Sequence, residues 1–217
     1  MNIEQVMGLF PYTKPEQWHQ HPNGGGWIFE KATVEETAYV GPDARVYGNA
    51  QVYGDAQVTD KAQVSGNAQV RGDARIYGCA WIYGGAWIYG NAQVFDKARV
   101  YDNARVYDNA RVYGNARVYG NAQVYGKAWV ADKARITGDA RVFDGIWKKS
   151  PLHILGSRDP VTHCAPDQIA IGCEIHTIQY WLENYKDIGR SNGYSAKEIE
   201  EYRKYIDLIA KVTESNF

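Results

Sequence analysis

Cysteine is scarce in this chain: three residues, Cys79, Cys164 and Cys173, stand far apart among 217. They are too few and too unevenly placed for a disulfide framework, which fits a reducing, cytoplasmic setting. Methionine (2) and phenylalanine (5) are also rare. No apolar run is long enough to cross a bilayer, so no membrane association is expected. Residues 1–18 lack a basic stretch followed by an apolar one, so no signal peptide is expected either. Excess charge of one sign is missing too. The formal net charge of -1 gives no basic signal for duplex nucleic acid and no acidic tail. Histidine is absent between His21 and His153. What is abundant instead is tyrosine (17) and glycine (22), a bias that points to a repeat.

The repeat is explicit. Alanine recurs at every sixth position from Ala32 to Ala140, and two residues after each stands Val or Ile, from Val34 to Val142. The unit is A-x-V-Y-G-N, as in Ala110-Arg111-Val112-Tyr113-Gly114-Asn115. A-x-V-Y alternates with period two, so Ala and Val share one side of a short strand while x and Tyr share the other. The G-N, G-D, D-N or D-K pair that follows tolerates left-handed backbone angles and turns the chain. A four-residue strand cannot bury its own apolar side, but coils stacked on one another can. Six residues per side suit a triangular prism. The run then predicts about six coils, each about 4.8 Å high, in a rod of about 30 Å.

An aliphatic residue followed four positions later by a small one, as in Val112 and Ala116, resembles the hexapeptide-repeat superfamily. The resemblance covers the whole run and implies a left-handed parallel β-helix, a hexapeptide-repeat solenoid. Many members are trimers packed side by side, and many are CoA-dependent acyltransferases.

Function on such a rod lies outside it. With eighteen residues per coil, one face stacks Arg45, Gln63, Trp81, Arg99, Arg117 and Arg135. The next stacks Gln51, Gln69, Trp87, Arg105, Gln123 and Arg141, and the third Gln57, Arg75, Gln93, Arg111 and Trp129. Tyrosine ladders run beside them: Tyr83, Tyr101 and Tyr119, then Tyr89, Tyr107 and Tyr125. In the purely structural reading, rings stack, arginines lie over rings, glutamines pair their amides, and Asp96, Asp102 and Asp108 offset the arginines. In the functional reading, Trp81, Tyr83, Trp87, Tyr89, Arg99, Tyr101 and Arg105 bind a protein partner or a nucleotide-like ligand.

An acyltransferase of this superfamily uses a histidine as general base, near a loop that leaves the prism. Here the rod has neither histidine nor interruption. An enzyme would need a site against the C-terminal region, with acetyl-CoA as cosubstrate and His153, His163 or His176 as base.

Three regions follow: an N-terminal cap (1–31), the solenoid (32–146) and a small α+β C-terminal domain (147–217). In the cap, residues 2–10 read as a short helix, with Trp18 and Trp27 over the first coil. His19 and His21 lie in a Pro/Gly-rich loop that reads as solvated rather than metal-binding. The repeat stops where Ile146 replaces alanine and Lys148 takes a valine position. Beyond it, 152–155, 161–164 and 169–173 read as strands and 177–188 as a helix ending at Gly189. Ser195 and Glu198 form a capping box for a last helix to about Thr213. His163, Cys164, Cys173 and His176 match no standard zinc spacing, and neighbours on a strand face opposite ways. Buried cysteines and a helix-capping histidine are expected there, with no metal.

Gly25-Gly26-Trp27-Ile28, the Tyr-rich repeats and the C-terminal motifs Ile188-Gly189 and Gly193-Tyr194-Ser195 are similar in layout to uncharacterised hexapeptide-repeat proteins of phages and prophages. The resemblance implies a phage–host setting, such as counteracting a host defence or sequestering a signal. The expected function is a non-catalytic binding or scaffold protein, a homotrimer without cofactor. The alternative is the acyltransferase.

Overall fold

The computed structural model describes residues 1–214. Its body is a parallel β-solenoid of three faces, each face a ladder of parallel strands stacked in register. Every strand pairs with those one coil away, as Trp81 does with Gln63 and Arg99. The extended part of each unit is shorter than A-x-V-Y suggests, since only x and V form the strand, as in Arg111–Val112. Backbone bonding is nevertheless continuous. The Trp81 N–H donates to the Ala98 carbonyl (3.0 Å), Tyr83 N–H to Val100 (3.0 Å) and, at the corner, Gly85 N–H to Asp102 (2.7 Å). Faces and corners alike are therefore satisfied by the next coil.

The interior is dry and uniform. From Ala38 to Val142 the phased alanines, valines and isoleucines are fully buried and form one continuous cluster. Alanine's small side chain leaves no exposed surface at its position. The corner residue takes positive φ: 68° at Gly84 and 58° at Asp102. Where aspartate replaces glycine, its carboxylate accepts the N–H of the corner residue one coil on. Asp102 holds Gly120 (3.2 Å) and Asp96 holds Gly114 (3.1 Å). The aspartates do not offset arginines, as expected from sequence: among the described residues no ion pair joins a rod aspartate to a rod arginine. The backbone N–H is the nearer, better-aligned donor.

The rod is longer than the alanine run, with about seven coils rather than six. At its start Trp27 and Ile28 pair with Arg45 and Val46, so Gly26 stands in the alanine place. A Cβ there would come within 2.4 Å of Val40. At its end the strand Ile146–Trp147 extends the third face, but one residue early. Trp147 pairs with Val130, whereas Val142 keeps the full step from Val124. The shortened step brings the Trp147 indole into the core and closes the rod.

Both ends are covered. The helix α1 (Ile3–Leu9) has Asn2 as N-cap, and its Val6 packs with Trp18 and Trp27 over the first coils. The strand Trp18–Gln20 pairs antiparallel with Trp27–Phe29. At the far end stands a four-stranded antiparallel sheet of His153–Leu155, Pro160–Ala165, Gln168–Ile171 and Glu174–Thr177. The last of these strands was not foreseen. Helices α2 (Ile178–Ser191) and α3 (Ala196–Glu214) cover the sheet around Val161, Ile169, Trp181, Tyr202, Ile206 and Ile209. The Ser195–Glu198 capping box is present. Helix α2 does not end at Gly189 but runs on to Ser191. Gly189 is a packing glycine, since a Cβ would meet Ile199 of α3 at 2.7 Å. The rod and the domain join where Phe143 N–H donates to the Cys164 carbonyl (3.1 Å). Among the described residues no helix is long and apolar enough to cross a membrane.

Candidate functional site

The rod's outer surface is set by the repeat, so its side chains form columns. Tyr83, Tyr101 and Tyr119 stack with centroids 4.8 and 4.9 Å apart and rings within 3° of parallel. Tyr89, Tyr107 and Tyr125 do the same on the second face. A third ladder, Tyr77–Phe95–Tyr113, stacks at 4.7 and 5.0 Å. Its signal was the same eighteen-residue spacing, hidden by Phe95 among tyrosines. Burial against neighbouring rings raises the Tyr107 hydroxyl to about 12, with help from Tyr89 and Tyr125. Two tyrosine hydroxyls donate to glutamines: Tyr107 to Gln123 Oε1 (3.3 Å) and Tyr47 to Gln63 Oε1 (3.2 Å). Gln63 and Gln123 thus bond tyrosines and Gln69 bonds Arg71, whereas paired amides were expected from sequence.

The expected binding residues fall on both sides of one corner. Trp81, Tyr83, Arg99 and Tyr101 belong to the first face; Trp87, Tyr89 and Arg105 belong to the second. Their rings are already engaged. The Arg99 guanidinium lies over Trp81 (5.8 Å), and Trp87 has Arg71 and Arg105 each at 5.5 Å. What these faces offer a partner is ring edges, hydroxyls and guanidinium groups. Their geometry suits a broad flat contact better than insertion of a base between rings.

The three C-terminal histidines do not converge. His153 sits over the rod's Gly138 corner, with Nδ1 2.8 Å from Thr162 Oγ1 and Nε2 buried without a partner. Burial lowers its pKa, partly offset by Asp139. His163 packs edge-on against Trp147, with Nε2 3.2 Å from the Pro166 carbonyl. Burial lowers its pKa too, against the raising effect of that hydrogen bond. It lines an open cleft of about 560 Å³ between the end of the rod and the C-terminal domain, with Trp147, Lys148, Lys149 and Leu152. His176 lies apart, 3.1 Å from Glu174 and against Tyr180 and Trp181.

The cap of α2 is Thr177, whose side chain accepts from Tyr180 N–H, and not His176. Cys164 is buried and its thiol is pushed up to about 12 by that burial, whereas Cys173 is exposed rather than buried. His21 is buried too, bonded to the Asn23 carbonyl (3.1 Å), although its loop reads as solvated; the glycines 24–26 let the chain fold over it. Among the described residues no group of three His, Cys, Asp or Glu side chains could hold a metal.

A family model described as the YdcK beta solenoid repeat matches residues 44–60, 50–66, 98–113 and 110–126. All four segments lie in the rod and each spans nearly one coil, so the chain carries a repeat similar to that family's. No curated protein matches the chain.

Proposed function

We propose that this protein is a non-catalytic binding or scaffold protein. Its rod packs beside two further copies of itself and presents Tyr/Trp/Arg faces to a protein partner. One observation carries the reading: the outer surface is made of columns rich in Tyr, Trp, Arg and Gln, with no histidine and no loop across them. Such residues dominate contact surfaces between proteins. Because the ring faces are already covered by neighbouring rings and guanidiniums, a protein surface suits them better than a nucleotide base. The narrower form places the rod in a phage–host setting, countering a host protein or sequestering a nucleotide signal. It rests on the layout of Gly25-Gly26-Trp27, Tyr-rich repeats and a small C-terminal domain.

A second reading has one observation in its favour. The cleft beneath the C-terminal domain holds His163, whose pKa burial lowers, favouring the neutral imidazole that can accept a proton. This is where an acyltransferase using acetyl-CoA would work.

Native mass spectrometry, with and without acetyl-CoA and cyclic nucleotides, separates the readings. A trimer without small ligand is expected. Replacing Trp81 and Trp87 together by alanine should weaken the trimer or partner capture without unfolding the rod. An acetyl-CoA adduct with turnover lost in His163→Ala would replace the scaffold with the enzyme. A bound nucleotide would favour the sequestering role.

A further inference from the structure

A second cavity lies inside the C-terminal domain, lined by none of the rod's residues. It opens between the 156–160 loop, the Gly172–Glu174 turn and helices α2 and α3, with a volume of about 100 Å³. That is the scale of a benzene-sized site, since an engineered cavity of about 150 Å³ accepts benzene. It is well below the several hundred Å³ of nucleotide- or drug-sized pockets.

The wall of this cavity has a definite chemistry. Four aromatic side chains line it, Trp181, Tyr185, Tyr194 and Tyr202, over a floor of isoleucines. Two carboxylates and one cation share the rim: Asp159, Glu174 and Arg158. Arg158 Nε lies 3.9 Å from Asp159 Oδ2, and its Nη1 donates to the Gly193 carbonyl (2.8 Å). The Tyr194 hydroxyl donates to Asp159. The cation and one carboxylate therefore offset each other, and Glu174, held by Asn192 Nδ2 (3.4 Å) and lying 3.1 Å from His176 Nε2, supplies the remaining negative charge. The Arg158 guanidinium rests 4.6 Å over the Tyr194 ring and takes that face, so Trp181, Tyr185 and Tyr202 are the rings left for a ligand.

The frame is fixed. The Tyr202 hydroxyl accepts from Arg158 N–H (3.0 Å) and donates to the Asp159 carbonyl (2.8 Å), tying the loop to α3. The Trp181 indole donates to the Ile169 carbonyl (2.8 Å). A preformed aromatic box with one excess carboxylate favours a weakly hydrated organic cation, because ring quadrupoles and the carboxylate act together. A strongly hydrated inorganic ion gains less, because the carboxylates there already have partners: Asp159 accepts from Tyr194, and Glu174 accepts from Asn192 and lies against His176.

We propose that this cavity binds a methylated ammonium group, carried by a free quaternary amine or by a methylated lysine side chain. The site is independent of the rod's partner and of its oligomeric state. The test is isothermal titration of the full chain with choline. Its uncharged isostere, 3,3-dimethylbutan-1-ol, is the control, and Nα-acetyl-Nε-trimethyllysine amide represents the lysine source.

Choline should bind with Kd of about 1 mM or better, and the isostere about tenfold more weakly. Whichever cation binds more tightly names the source. Glu174→Gln and Tyr185→Leu should each weaken choline several-fold. Tyr185→Phe, which keeps the ring, should bind as the parent does. Equal binding of choline and its isostere overturns the proposal. So does no heat from either cation at concentrations on the order of ten times that Kd, or parent-like binding by a folded Tyr185→Leu chain.

Discussion

In the rod every coil buries the same side chains, an alanine and a valine or isoleucine per face. In the C-terminal domain no buried position repeats another: Val161, Ile169, Trp181, Tyr202 and Ile206 each meet different neighbours. The rod gains uniqueness from position, the domain from shape. A tight periodic interior has no slack, because any added volume meets the coils above and below. An irregular core bounded by helices can shift one element to absorb it.

The same substitution in both regions should break or sustain that contrast most clearly. Ala104→Leu places three extra carbons at a fully buried position, and should cost about 3 kcal/mol or more. Ala210→Leu, at the margin of α3 with 8% exposure, should cost about 1 kcal/mol. Urea midpoints by circular dichroism compare them, and equal losses would remove the distinction.

A smaller effect tests the corners. Asp102→Ala keeps a side chain at positive φ but loses the bond to Gly120, and should cost about 1–2 kcal/mol. Asp102→Gly removes the strain along with the bond, and its thermal midpoint should stay near that of the parent. If both variants melt alike, the corner aspartates do nothing that the backbone does not.

Acid should separate the regions with the smallest effect. His153 and His163 have lowered pKa values in the folded chain. As pH falls through about 6.5, the unfolded chain takes up protons that these folded imidazoles resist, so stability drops. The rod has no histidine between His21 and His153 to respond. Hydrogen exchange at pH 5.5 against 7.5, corrected for intrinsic rates, should show lost protection in residues 153–177 and unchanged protection in 60–130.

The rod could be read almost residue by residue from sequence because one physical requirement, a dry interior at fixed spacing, recurs too often to be mistaken. The face of every outward side chain from Arg45 to Arg141 followed from counting in eighteens. The ends were less legible. Ile146 looks like the failure of the repeat until Trp147 is seen to take the valine place. Gly189 looks like a helix stop although it serves close packing against Ile199. The strand Glu174–Thr177 carries His and Thr among its four residues and has no alternating apolar pattern to betray it. The cavity residues Arg158, Glu174 and Tyr185 are brought together only by tertiary folding, so no spacing in the chain could announce them.

The early step that inserts Trp147 has a further consequence for how the chain finds its fold. Coils so alike are nearly interchangeable, and a strand that docked one coil too high would meet almost the same alanines, valines and hydrogen-bond partners. Such a slipped rod would be a deep kinetic trap. Trp147 at one end and Gly26 with Ile28 at the other fit only one coil each. They act as the two index marks of a vernier: the interior supplies the stability, while these few aperiodic residues decide the alignment.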